Sequence, residues 1–597
     1  LYQRRDGTEN QPVLYVREGV DGADRIALDP NALSAAGTTA LDWYFPSNDG
    51  QLLAYGLSDD GSERSVLHVL DLDTLQPLTD HIPDTRAASL AWLPDATGFY
   101  YTRYPSAGTV PEGDEQYHRS VWFHVLGADP SGDVLVFRPA EKEHWPGVDV
   151  SADGHWLLVT VSRTFDQTDL YVRDLSRPDA ELVVVAQGLP ALFEGQVVGG
   201  RLYIRSNIEA PTYGIYLADP ERPVREHWRT LIPPRADAVL EGAAITRAHL
   251  AISYLERATS RLVLTDLDGG AARNVELPGI GSSYGIGAEH DGDELFHGFT
   301  SYSIPPSVYR IDLRTGEQRL WRRVEADIDT SRFEVRQVSV TSRDATAVSM
   351  FVVQPRDLVL DGTNPVYLTG YGGFNISMTP AFSRSLLLWI ENGGVLAIPN
   401  LRGGGEYGEA WHQAGMLANK QNTFDDCIAA AEWLVAEGYT TPARLAVAGG
   451  SNGGLLTGAL LTQRPDLFRA VVIQVPLLDM LRYHLFSIAR LWIPEYGSAD
   501  DPAQYRWLSA YSPYHHVADG VPYPAVLLAT AESDTRVDPM HARKMTARLQ
   551  AATSSDHPVL LRLESQAGHG AGKPLSKLLD ELTDSWSFIF HELGVPV

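Results

Sequence analysis

Apolar and polar positions alternate in short runs over roughly the first 325 residues, and turns rich in Asp and Gly separate the runs. A period of two marks half-buried strands, and helical spacing is almost absent here. The runs also recur. Seven units stand out: 13–16 with the Asp21-Gly22 turn, 52–55 through 70–73, 98–101 through 121–124, 156–159 through 170–173, 202–204 through 214–217, 250–253 through 262–265, and 294–296 through 308–311. A repeat of roughly 35 to 50 residues is the period of a propeller blade, so the units predict seven blades. A pair of β-sandwiches is the alternative, but it needs far fewer strands. Between Ile328 and Phe333 the period changes. Residues 333–340 and 347–353 read as a hairpin opening a new sheet. Strands at 365–368 and 394–398, a long helix at 425–438 and a strand at 444–448 then alternate. Such alternation predicts a mostly parallel sheet covered by helices. The expected organisation is an all-β propeller over residues 1–330 and an α/β unit over 331–597.

The chemistry concentrates in the α/β part. Gly449-Gly450-Ser451-Asn452-Gly453-Gly454 lies between the strand at 444–448 and a helical pattern at 455–461. Gly-x-Ser-x-Gly between a strand and a helix predicts a nucleophile elbow, with Gly449 and Gly453 sparing the incoming strand and outgoing helix a collision. The helix N-terminus just beyond presents backbone N–H groups to whatever the serine attacks. An apolar strand at 525–530 runs into Asp534, and another at 559–563 runs into His569 between two glycines of a flexible loop. The order Ser, Asp, His is that of α/β-hydrolases, and each residue follows a strand's carboxyl end, where open α/β sheets gather their sites. A serine hydroxyl is a weak nucleophile at neutral pH. It needs a general base, for which His569 is the candidate, and Asp534 is placed to hold the imidazole tautomer. The other reading of Asp534 is a cap for the helix near Pro539, a task for which Asp538 is better positioned. The backbone N–H of Asn452, directly after the nucleophile, is the first candidate oxyanion donor.

Together with Asp534-Thr535-Arg536-Val537, the run Gly568-His569-Gly570-Ala571-Gly572-Lys573-Pro574 and Tyr371-Gly372-Gly373-Phe374, these motifs resemble the prolyl oligopeptidase family of serine peptidases through nearly the whole chain. The resemblance implies a seven-bladed β-propeller followed by an α/β-hydrolase domain. It implies a serine endopeptidase that hydrolyses short proline-containing peptides on the carboxyl side of proline through an acyl-enzyme, with no cofactor and no metal. It further implies the Tyr371 hydroxyl as second oxyanion donor. The implied proline pocket comprises Trp492, Phe374, Tyr496, Val537 and Asn452, with Leu477 where a smaller valine is common, and Arg536 bonds a substrate carbonyl beside the proline. A proline ring is flat, apolar and without a donor at nitrogen, so an aromatic, uncharged pocket suits it.

Rival readings remain. A relative cutting after Arg or Lys needs carboxylates in its pocket and shows Ala where Asn452 stands; an acyl-aminoacyl specificity is a further variant. Dipeptidyl peptidases grip the substrate amine with a glutamate pair, and this chain contains no Glu-Glu dipeptide. A propeller scaffold with an inactive hydrolase domain conflicts with the complete Ser, Asp, His set. A lipase or esterase fits poorly with a propeller cap that screens out large substrates. Transpeptidation or macrocyclisation by the same acyl-enzyme stays open.

Composition narrows the picture further. The chain has 597 residues, too many for one core. Its 44 % apolar and 21 % charged content is that of an ordinary globular protein. A net charge of −28 repels phosphates and argues against nucleic-acid binding. No run approaches membrane-spanning length, so no membrane partner is expected. The single cysteine, Cys427, lies in a helical pattern as a packing residue, rules out an internal disulfide framework and suits a reducing compartment. A monomer in the cytoplasm is the expectation. Members of the family carry an additional amino-terminal segment on the hydrolase domain that is not expected in this sequence, which begins with Leu1. A periplasmic or secreted location therefore stays open.

Overall fold

The computed structural model describes residues 1–326 and 329–596. Seven antiparallel sheets follow one another along the chain, the first of three strands and the other six of four. Each sheet packs between two neighbours, so its middle strands are buried on both faces. In the fourth blade Leu157, Leu158 and Val159 of strand Trp156–Ser162 and Leu170 and Val172 of its partner Thr168–Asp174 are buried. The outermost strand, Val183–Ala186, exposes Val183 and Val184. The seven sequence units coincide with these middle strands, where apolar content is highest. Polar rivets join neighbouring blades. Between the second and third, the buried His124 ring lies 2.9 Å from Asp80 and 2.7 Å from Asp133. Burial opposes charge on this ring, but its bonds to Asp133 and Asp80 prevail and push its pKa up to about 9.

The last propeller strand ends at Arg323. Ile328, where the sequence period changes, lies outside the described residues. A single eight-stranded sheet then begins: β1 (Phe333–Thr341), β2 (Ala347–Pro355), β3 (Val366–Thr369), β4 (Val395–Pro399), β5 (Leu445–Gly450), β6 (Ala470–Gln474), β7 (Ala525–Ala531) and β8 (Val559–Glu564). Its order is β1-β2-β4-β3-β5-β6-β7-β8. The hairpin of β1 and β2 is antiparallel, β2 is antiparallel to β4, and every later pair is parallel. Helices cover both faces. One core contains Val447, Val471 and Val526 with Cys427 and Leu456; the other contains Ala446, Val472 and Leu527 with Trp389, Trp586 and Phe590. Alternate residues of one strand thus enter opposite cores, as pleating requires. Cys427 is fully buried and burial pushes its thiol pKa up, which leaves it a packing residue.

The helix expected at 425–438 spans Gln421–Ala436. It begins a turn early because Lys420 continues from the helical turn Leu417–Asn419, and it ends before Gly438, whose φ of +76° reverses the chain. The strand β6 and the 19-residue helix Leu575–Leu593 complete the covered sheet.

The propeller faces the loops at the carboxyl ends of the parallel strands. Tyr117 Oη donates to the Ser487 carbonyl at 3.2 Å, the Glu409 N–H to the Pro211 carbonyl at 2.9 Å, and Ser282 Oγ to the Pro380 carbonyl at 2.7 Å.

Candidate active site

Ser451 stands between β5 and the helix Asn452–Gln463 with φ +58° and ψ −116°. A non-glycine residue at such an angle costs roughly 1–3 kcal/mol and persists only where its surroundings impose it. Here the Ser451 N–H donates to the Gln474 carbonyl of β6 at 2.9 Å, and the Ser451 carbonyl accepts from the Gly454 N–H at 2.9 Å. The turn is tight across itself. A Cβ on Gly449 would lie 2.3 Å from the Gly453 carbonyl oxygen, and one on Gly453 would lie 2.8 Å from that of Gly370. Gly449 therefore spares the outgoing helix, and Gly453 spares the loop before Tyr371.

Asp534 follows β7 and is buried. Its Oδ1 accepts the N–H groups of Arg536 and Val537 at 2.9 Å each, and its Oδ2 lies 2.7 Å from His569 Nδ1. The carboxylate is thereby fixed by its own turn. Asp538 caps the next helix, accepting from the Met540 N–H at 2.8 Å. With Nδ1 engaged, His569 has Nε2 for the cavity that it lines together with Ser451. No direct hydrogen bond joins those two side chains among the described residues, a looseness common before substrate binds.

The His569 loop is clamped rather than free, because the propeller grips it. A Cβ on Gly568 would meet the Gly61 carbonyl oxygen of the second blade at 1.9 Å. Gln11 Nε2 donates to the Gly572 carbonyl at 2.9 Å, and the Leu575 N–H donates to the Asn10 carbonyl at 3.0 Å. Gly568 is thus needed for close approach of two backbones, one from each unit.

Tyr371 lies two residues beyond β3. Burial pushes its phenol pKa up, with the Ser451 hydroxyl beside it pulling the other way, so the phenol remains a protonated donor at neutral pH. Asn452 supplies the first N–H of its helix, a group without an intrahelical acceptor. Its side chain ties the neighbourhood together: Nδ2 donates to the Tyr371 carbonyl at 2.6 Å, and Oδ1 accepts from Tyr496 Oη at 2.8 Å.

These groups open onto a cavity of about 630 Å³ between the two units. Tyr371, Phe374, Leu477, Trp492 and Arg536 line it from the α/β side. Tyr496 and Val537, expected on the wall, lie behind it instead. Tyr496 is fully buried with its ring edge-on to Phe374 at 5.5 Å, its hydroxyl drawn inward by Asn452. Val537 is buried with its N–H held by Asp534. Arg536 bridges the units: its Nε donates to the Glu63 carboxylate at 3.0 Å, and Arg86 takes the same carboxylate at 3.0 Å. The propeller contributes walls that the sequence does not announce, above all Phe165, edge-on to Phe374 at 4.7 Å. Phe165 sits in a turn between two blade strands, where no local pattern marks it.

Comparison with known proteins agrees with this arrangement. Residues 1–324 match the prolyl oligopeptidase N-terminal beta-propeller domain, and residues 380–596 match the prolyl oligopeptidase family. The chain is 34 % identical over 598 residues to a prolyl endopeptidase of Elizabethkingia meningoseptica, covering 100 % of this chain and 84 % of the relative. Among solved structures it resembles one from a structural and mechanistic study of two prolyl endopeptidases, with a TM-score of 0.95, 41 % identity and coverage of 98 % of this chain and 87 % of the other. It also resembles prolyl oligopeptidase B of Galerina marginata bound to a 35mer hydrolysis and macrocyclization substrate, with a TM-score of 0.94, 28 % identity and coverage of 100 % and 87 %. The chain belongs to the prolyl oligopeptidase family of serine peptidases.

Proposed function

We propose that the chain is a serine endopeptidase that cleaves short peptides after proline, with Ser451, Asp534 and His569 as its catalytic residues. His569 Nε2 takes the Ser451 proton as Oγ attacks the carbonyl carbon, and the developing imidazolium is stabilised by Asp534 at Nδ1. The oxyanion is received by the Asn452 N–H and the Tyr371 hydroxyl. His569 then returns the proton to the leaving amine, and water repeats the sequence in reverse to free the acid. Arg536, held at one face by Glu63, has its remaining guanidinium N–H groups for a substrate carbonyl in the cavity.

The observation that carries the specificity is the apolar wall of Trp492, Phe374 and Leu477 on the cavity that Ser451 lines. Among the described residues no carboxylate belongs to that wall, and the three that line the cavity from the propeller, Glu63, Glu143 and Glu194, each face an arginine already. Glu495, directly behind Phe374, is fully buried and already engaged by His412 and the Phe374 N–H. A desolvated, unpaired charge costs several kcal/mol. Propeller residues such as Arg86, Phe165 and Glu194 wall the cavity from the other side, which favours short chains as substrates. A cytoplasmic setting is proposed on the strength of the lone buried thiol, and a monomer as the form that works there. Transpeptidation is the second outcome of the same acyl-enzyme, favoured as a reading by the similarity to an enzyme solved with a macrocyclization substrate.

Trp492→Ala tests the pocket. Loss of the buried indole face, at about 25 cal/mol per Å², and of roughly 1 kcal/mol of ring stacking lowers the Pro-over-Ala ratio in kcat/KM by about tenfold. Matched chromogenic peptides ending in Pro or Ala before the reporter group measure it. Equal losses for both substrates would remove Trp492 from the pocket.

A further inference from the structure

Behind the turn that bears Tyr371 and Phe374 lies a buried ionic cluster that the reaction above does not use. Glu495 is fully buried. Its Oε1 accepts the Phe374 N–H at 3.1 Å and stands 3.7 Å from Lys420 Nζ; its Oε2 lies 2.9 Å from His412 Nε2. His412 Nδ1 lies 2.9 Å from Glu409 Oε1. Two carboxylates thus face two bases. Burial opposes the charge on His412, but Glu409 and Glu495 prevail and push its pKa up to about 9. Burial pulls Lys420 down to about 8. His412 and Lys420 thus favour their protonated forms at neutral pH, facing the two carboxylates.

Its outward bonds converge on one segment. Lys420 Nζ donates to the Gly372 carbonyl at 2.7 Å, Glu495 receives Phe374, and Glu409 Oε2 accepts from Asn375 Nδ2 at 3.2 Å. Asn375 Nδ2 also donates to Tyr213 Oη of the propeller at 3.3 Å. The segment needs such restraint. Gly372, Phe374 and Asn375 have φ of +65°, +60° and +59°, and two of these are not glycine. A neutral apolar core packs such a turn but does not choose its backbone angles, whereas bonds to Gly372, Phe374 and Asn375 within four residues do.

We propose that Glu495 is a positioning residue, which through Lys420, His412 and the Phe374 N–H holds the 371–375 turn so that the Tyr371 hydroxyl meets the oxyanion, and which links that turn to propeller docking at Tyr213. This rests on the oxyanion role of Tyr371 proposed above.

The test is a double-mutant cycle of Glu495→Gln with Tyr371→Phe, read as kcat and KM on a Pro peptide, with thermal unfolding of each variant. Glu495→Gln should lower kcat about tenfold or more with KM changed less than about threefold, and should add less than about twofold in the Tyr371→Phe background. If Glu495→Gln fails to fold, Glu495→Asp is read in its place. It keeps the charge but is too short to reach His412 and the Phe374 N–H together, and kcat should fall at least about fivefold. Wild-type kcat in the variant that folds, or a loss that multiplies fully with that of Tyr371→Phe, overturns the proposal. A Tyr371→Phe enzyme with wild-type kcat would instead remove the oxyanion assignment beneath it.

Discussion

Replacing Ser451 by Ala should lower kcat for Pro peptides at least about 10⁴-fold while leaving the unfolding temperature within about 2 °C of wild type. The two halves of this expectation have separate causes. Activity falls because, among the described residues, the other serine and threonine hydroxyls lining the cavity, such as Thr160 and Ser162, belong to the propeller and not to the turn that bears the oxyanion donor Asn452. Stability holds because the Ser451 side chain makes no capping bond to its helix. Alanine also keeps the Cβ, so the strain at φ +58° is unchanged. His569→Ala should lose nearly as much, and the double variant little more, because nucleophile and base act as a unit. Purified variants assayed against a single chromogenic Pro peptide settle the matter. Activity within tenfold of wild type in Ser451→Ala, with contaminating peptidase excluded, would show that the nucleophile lies elsewhere.

Tyr371→Phe carries the second largest effect. The ring remains packed and only the hydroxyl is removed. An oxyanion donor acts on charge that exists only in the transition state, so kcat should fall about 100-fold while KM stays within about threefold. The Asn452 N–H continues to serve, which is why the loss is smaller than for Ser451. A rise in KM with kcat preserved would make Tyr371 a substrate-binding residue instead.

The contrast between what the sequence discloses and what it hides follows the range of the forces involved. The middle strands of the blades are visible because both their faces are buried, which makes runs such as 157–159 densely apolar. The outer strands, such as Arg273–Val275 with two of its three residues exposed, carry no comparable signal. The elbow at Ser451, the Asp534 turn and His569 are visible because each follows a strand's end and is flanked by its own turn residues, although the propeller clamps the His569 loop. Strand β6 escapes because a buried parallel strand shows no alternation, and four apolar residues followed by Gln474 read equally well as part of a helix. The pocket is only partly visible for a related reason. Trp492 and Phe374 line it, whereas Tyr496, four residues from Trp492 and as aromatic, is turned inward by a hydrogen bond to Asn452, 44 positions away. Nothing local separates the two outcomes. Phe165, Glu63 and Gly61 are further out of reach, since their place at the site depends on how the propeller docks. The Glu495 cluster joins residues 83 and 121 positions apart, and only the folded chain shows that one carboxylate receives both.

The most direct test of the whole account is wild-type kcat/KM on four matched peptides that differ only in the residue before the reporter group: Pro, Ala, Arg or Lys. The apolar wall of Trp492, Phe374 and Leu477 predicts that Pro is fastest, Ala is slower by about tenfold or more, and Arg and Lys are nearly inert, because the cavity's glutamates, Glu63, Glu143 and Glu194, are taken up by arginines. Faster cleavage after Arg or Lys than after Pro would contradict the account.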